Sequence, residues 1–221
     1  INTMSSSTET KEKKKKRNRF LLRNPEKSKM NQYWYSIKTI DTFVDEVLRH
    51  SKLGCAFVSS PSIYFSLKTR LQKTDPKSHF LSKCKVLDID NKWKNDPGFV
   101  YFDFNKVDSC IDKSLHHKFD YIIVDPPFIT EEVWEKYIHA VQLLLAPNDT
   151  SKSEKENHSD PFGKVLFTTV QENDKMLKKH FGDSIRPNQF KPSIPHLTYQ
   201  YCVYTNYDSE AFSQENDEIQ S

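Results

Sequence analysis

Four consecutive residues, Asp125-Pro126-Pro127-Phe128, directly follow the strongest strand-like run of the chain, residues 120–124. Two prolines fix φ near −65° and remove two backbone donors, so such a turn is stiff and rich in carbonyl acceptors. The residue before each proline is pushed to extended geometry, which turns those carbonyls outward. With the Asp125 carboxylate beside them, two or three acceptors converge on one point next to an aromatic face. The natural guest is an amine, whose N–H groups are held while its lone pair points elsewhere. An electrophilic methyl group is a target for that lone pair. A tetrapeptide of this kind arises by chance in roughly one chain in a hundred of this length, with proline at about 5% of residues. The plain alternative is a Pro-Pro turn that only ends a strand before a helix.

Three other strand ends carry residues that would suit a nucleoside-bearing methyl donor. An acidic residue at such an end can hold ribose hydroxyls; Asp90 is the first choice and Asp88 the alternative. Asp103 can accept from an adenine amino group while the Phe104 ring packs on the base. Any one of these aspartates alone is as easily a turn starter. Ser59-Ser60-Pro61 opens a helix whose N-terminus can face the donor's carboxylate, although no glycine occurs there.

These tips need elements to hold them. Ile37, Ile40, Phe43, Val44, Val47 and Leu48 recur at helical spacing and predict an amphipathic helix over residues 37–50. Ile63, Leu67 and Leu71 give a second helical stripe, and Met176, Leu177 and Phe181 a short third one. Residues 54–59, 85–90, 99–104, 120–124, 164–170 and 199–207 read as strands. Thr130 makes an N-cap for a further helix with Glu131 and Glu132 in its first turn, and Val133, Tyr137, Ala140, Val141 and Leu144 form its apolar face. Alternating strands and helices with continuous apolar strands predict an α/β domain around a mostly parallel, buried sheet. In such sheets ligands bind outside the C-terminal strand ends, where the candidate residues fall.

Composition sets the limits. The chain has 221 residues, room for one domain with a sizeable core. No apolar run approaches the ~18 residues that cross a bilayer, and no signal-peptide hydrophobic segment opens it. The four cysteines, Cys55, Cys84, Cys110 and Cys202, form no C-x-x-C pair and read as reduced thiols of an intracellular protein. His116-His117 lacks partner ligands at any recognisable spacing, so no metal site is expected. Residues 1–30 hold ten Lys or Arg against three Glu, a net of +7, which leaves −4 on the remainder. A basic disordered tail over 1–30, an inserted polar loop over 148–160 and an acidic disordered tail over 209–221 are therefore expected around a domain spanning 31–208. The run from Lys11 to Arg17 has two further readings, a nuclear address and a nucleic-acid arm.

The chain resembles the eukaryotic elongation factor 1-alpha lysine methyltransferase family, earlier grouped with N6-adenine methyltransferases. Asn31-Gln32-Tyr33-Trp34-Tyr35-Ser36 is similar to that family's opening segment, and residues 58–64, 88–90, 102–105, 119–128 and 202–208 follow in the family's order. The resemblance implies a Rossmann-like, seven-stranded class I methyltransferase fold with one antiparallel strand near the C-terminus. It implies S-adenosyl-L-methionine as donor and Asp125, Pro126, Pro127 and Phe128 as the amine-binding turn. It implies Trp34 and Tyr35 as substrate contacts, and a protein substrate, elongation factor 1-alpha, in the cytoplasm. Phe128 stands where tyrosine is common, and His196-Leu197 where related chains often carry Asn-Leu. Two other readings stay open: the same turn acting on adenine's amino group in DNA or RNA, and a donor-binding subunit without activity of its own.

Overall fold

The computed structural model describes residues 17–147 and 163–219; the inserted loop 148–160 and nearly all of the basic run lie outside the described residues. Seven strands form one sheet: β1 (Cys55–Val58), β2 (Lys85–Asp88), β3 (Phe99–Tyr101), β4 (Tyr121–Val124), β5 (Lys164–Thr169), β6 (Arg186–Pro187) and β7 (Cys202–Thr205). Their order is β3-β2-β1-β4-β5-β7-β6. Strands β3, β2, β1, β4 and β5 pair in parallel, and β7 runs antiparallel to both its neighbours, β5 and β6. The expected fold, mostly parallel with one reversed strand near the C-terminus, is the one observed.

Among the described residues six α-helices accompany the sheet: α1 (Arg19–Arg23), α2 (Ile37–His50), α3 (Pro61–Thr74), α4 (Val107–Cys110), α5 (Glu131–Leu144) and α6 (Asp174–Phe181). Side chains alternate across each strand, so one sequence feeds two cores. Ala56, Val58, Ile122 and Val124 meet Tyr137, Val141 and Leu144 of α5 on one face. Cys55, Phe57, Tyr121 and Ile123 meet Phe43, Val44 and Val47 of α2 and Leu67 of α3 on the other. Strands buried on both faces cannot alternate polar and apolar residues, which explains the unbroken Tyr-Ile-Ile-Val of β4. Helix α2 starts where Ser36 accepts a hydrogen bond from the Thr39 N–H at 3.1 Å. Thr130 takes the N-cap position of α5, but its hydroxyl makes no capping bond there. Among the described residues no helix is long and apolar enough to cross a membrane.

Residues on both flanks of the expected 31–208 span are packed against the body. Asn18 accepts from the Phe20 and Leu21 N–H groups and starts α1, which places Phe20 in an aromatic cluster. The Phe20 ring centroid is 5.0 Å from that of Trp34, 5.9 Å from Phe65 and 5.6 Å from Trp93. At the other end Phe212 is fully buried, 5.9 Å from Phe43 and 5.6 Å from Phe190. One aromatic residue in a charged stretch is enough to anchor it, and a composition averaged over thirty residues hides that residue. Strand ends also shift: β3 stops at Tyr101 and β7 starts at Cys202, so Asp103 caps a short 3-10 helix that Phe104 opens, and Tyr199 and Tyr201 belong to a loop.

Candidate active site

A cavity of about 390 Å³ opens at the C-terminal ends of β1, β2 and β4. Its size falls within the range of small-molecule sites. Met30 to Trp34 border it on one side and Ile194 to Tyr201 on another. Glu26 ties these two segments together: Oε1 accepts from the Trp34 N–H at 2.9 Å, and Oε2 lies 2.6 Å from His196 Nδ1.

Asp125 leaves β4 with its N–H donating to the Val58 carbonyl at 3.1 Å, so the turn is registered to the neighbouring strand. Its Oδ1 accepts from Thr168 Oγ1 of β5 at 3.0 Å. Burial pushes its carboxyl up to about 7, while the Tyr35 and Thr168 hydroxyls pull the other way. Pro126 and Pro127 line the cavity, and Phe128 stands 45% exposed at its lip. The Phe104 ring lies 6.3 Å from Phe128 and 5.8 Å from Tyr137, extending the aromatic wall.

The β1 tip solves the missing-glycine problem in an unexpected way. Ser59 adopts φ 56°, the left-handed region that glycine enters freely. Its side chain is used: Ser59 Oγ is 2.7 Å from Tyr137 Oη of α5. Ser59 and Pro61 line the cavity at the N-terminus of α3. Ser60 does not; its hydroxyl turns into the sheet and donates to the Val58 carbonyl at 3.1 Å.

Asp88 lines the cavity and Asp90 does not. Asp88 is nearly buried, with Oδ1 accepting from the Asp90 N–H at 2.7 Å. Burial, with the nearby Asp90 charge, pushes the Asp88 carboxyl up to about 6 against that N–H bond. Asp90 instead faces Lys27 Nζ at 2.7 Å and Lys92 Nζ at 3.4 Å. Burial opposes its charge, but the lysines and the Lys92 N–H outweigh it and hold the carboxyl below its usual range. Asp103 accepts from the Asn105 N–H at 2.9 Å, which makes it a turn cap, and it is not among the cavity-lining residues.

Trp34 lines the cavity, its indole N–H donating to the Asn24 carbonyl at 2.8 Å. Tyr35 does not reach the cavity; it is buried beneath the turn, its hydroxyl 2.7 Å from Thr168 Oγ1. Thr168, Tyr137 and Tyr201 are site residues that sequence reasoning missed. Thr168 lay at a strand end like the other candidates, in the run 164–170, and that position was its available signal. Tyr137 read only as part of an apolar helix face.

The cavity therefore joins a hydrogen-bonded carboxylate in a rigid turn, an aromatic wall, a second buried carboxylate and a helix N-terminus. The chain matches the family described as "Probable N6-adenine methyltransferase" over residues 26–209. It is 25% identical to the protein-lysine N-methyltransferase EFM5 of Saccharomyces cerevisiae over 90% of this chain and 79% of that one. It is 27% identical to EEF1A lysine methyltransferase 1 of Danio rerio over 83% of this chain and 100% of that one. The Homo sapiens protein of the same name is 23% identical over 81% of this chain and 74% of that one. With a match spanning nearly the whole described body, the chain belongs to the N6-adenine methyltransferase-like family of methyltransferases.

Proposed function

We propose that this protein transfers a methyl group from S-adenosyl-L-methionine to the side-chain amine of a lysine in a protein acceptor, elongation factor 1-alpha, in the cytoplasm. The observation that carries this reading is the Asp125-Pro126-Pro127-Phe128 turn at the cavity, with its carboxylate hydrogen-bonded from Thr168. The relatives named as lysine methyltransferases support the acceptor class.

The cavity's residues fit the donor. In this reading Asp88 accepts from ribose hydroxyls, Phe104 packs on the base, and Ser59, Pro61 and the α3 N-terminus face a carboxylate, supported by their lining the cavity. Bound there, the donor would supply an electrophilic methyl group. Free lysine has a pKa of ~10.4, so the arriving nitrogen is protonated and has no lone pair to offer. Asp125 and the Pro126 carbonyl orient it, and Phe128 gives a cation–π wall. The proton leaves to water before transfer, and holding nitrogen and methyl in line does most of the work. Trp34 closes the cavity beside the acceptor.

Asp125→Ala should lower transfer by at least about a hundredfold while donor binding persists, a loss in the range of one oriented catalytic group. The assay uses radiolabelled donor with purified elongation factor 1-alpha, and calorimetry for donor affinity. Normal turnover in the variant removes the role given to the turn. The family description favours a second reading, adenine's amino group as acceptor. Label that resists protease and yields to nuclease would establish it instead.

A further inference from the structure

Tyr35 and Thr168 have no part in binding the donor, yet they converge on the one carboxylate the chemistry needs. Three distant segments meet there: the residue before the α2 cap, the C-terminal end of β5 and the tip of β4. Tyr35 Oη lies 2.7 Å from Thr168 Oγ1, and Thr168 Oγ1 lies 3.0 Å from Asp125 Oδ1. Thr168 carries one hydroxyl proton and has two acceptors within reach, Asp125 at 3.0 Å and the Val124 carbonyl at 3.3 Å. With Tyr35 donating into the Thr168 oxygen, the threonine proton is free to serve the carboxylate. Tyr35 is itself fully buried and its hydroxyl is held well above its ordinary range, chiefly by burial and then by Asp125, so it stays a neutral donor.

We propose that Tyr35 and Thr168 are positioning residues for the acceptor amine, a two-hydroxyl relay that fixes the Asp125 carboxylate and favours its ionised form in a buried place. This rests on the reading of Asp125 as the group that holds the amine. Among the described residues, Tyr35 from the segment before α2, Tyr137 from α5 and Tyr201 from the loop before β7 feel the Asp125 charge, and Asp88 and His196 line the same cavity. The Asp125 carboxylate accepts from Thr168, whose oxygen the Tyr35 hydroxyl meets from the other side. An ionised Asp125 draws an ammonium in and accepts from it. A protonated one loses the attraction and presents a donor where an acceptor is needed. Hydrogen bonds to the ionised form lower a carboxyl's pKa, so removing one raises it further.

The test uses Thr168→Val and Tyr35→Phe, with Thr168→Ser as the variant that keeps the hydroxyl. A hydrogen bond to a charged group corresponds to about one pKa unit. Each of the first two should therefore shift the acid limb of the kcat/KM profile upward by about one pH unit. Activity should fall roughly tenfold on that limb and return towards the unaltered level at high pH. Thr168→Ser should restore the original profile. Carbon-13 NMR of aspartate-labelled protein, with Asp125 assigned through Asp125→Asn, reads the carboxyl directly, whatever the acceptor turns out to be. A raised Asp125 midpoint in Thr168→Val and Tyr35→Phe supports the relay even if lysine methylation fails. Midpoints that superimpose on the unaltered protein's, or a Thr168→Ser that behaves as Thr168→Val, overturn it. Tyr35→Phe removes a single oxygen and carries the test by itself if Thr168→Val loses its fold.

Discussion

Ser59 holds a backbone conformation that costs an L-residue roughly 1–2 kcal/mol, and in return its hydroxyl reaches Tyr137 across the cavity floor. A glycine there would relax the backbone and lose that tie. The same close reading separates two aspartates only two residues apart. Asp88 lies nearly buried against the cavity, while Asp90 spends its carboxylate on Lys27 and Lys92. Asp88→Asn should weaken binding of S-adenosylhomocysteine by at least about tenfold, the scale of one hydrogen bond to a charged acceptor. Asp90→Asn should change it by less than about threefold, because it disturbs partly exposed ion pairs away from the cavity. Titration calorimetry measures both, and equal losses would return the ribose role to Asp90.

At the scale of elements, α2 shows what a periodic pattern leaves open. Phe43 and Leu48 both belong to its apolar stripe, yet Phe43 is fully buried against Tyr35, Phe190 and Phe212, whereas Leu48 is 40% exposed. Phe43→Ala should cost about 3–5 kcal/mol of stability in a denaturant titration. Leu48→Ala should cost under about 0.5 kcal/mol. Similar losses for the two would mean that the helix packs in another rotation. Its orientation matters for function, since the same face carries the contacts beneath Tyr35 and so the base of the Asp125 relay.

For the whole molecule, both flanks beyond the expected 31–208 boundaries pack on the body. Phe20 fills an aromatic cluster with Trp34, Phe65 and Trp93, and Lys27 and Glu26 fasten the segment that borders the cavity. The stretch expected as a basic disordered tail therefore contains residues that pack on the body. Removing residues 1–30 should lower the melting temperature by roughly 10 °C, from the loss of one buried phenylalanine at about 2–4 °C per kcal/mol. It should also weaken donor binding through the freed Asn31–Trp34 stretch. Differential scanning fluorimetry checks the first; an unchanged melting temperature would show that α1 contributes nothing to the body.

Periodicity and turn chemistry were enough to place β1, β2, β4, β5 and helices α2, α3 and α5, because each is written in fourteen or fewer adjacent residues. The Asp125 turn was legible for the same reason, as two prolines act on their own neighbours. The resemblance, not the spacing, carried the reversed β7. What only the tertiary structure decided involves residues far apart in the chain. Thr168 under Asp125, Tyr35 below the cavity instead of in it, Asp88 over Asp90, and Phe20 and Phe212 in the core are all of this kind. A side chain's local sequence states its shape and charge; which group it meets depends on how separate strands and helices are brought together. A carboxylate's role is then set by the partners and burial it finds there.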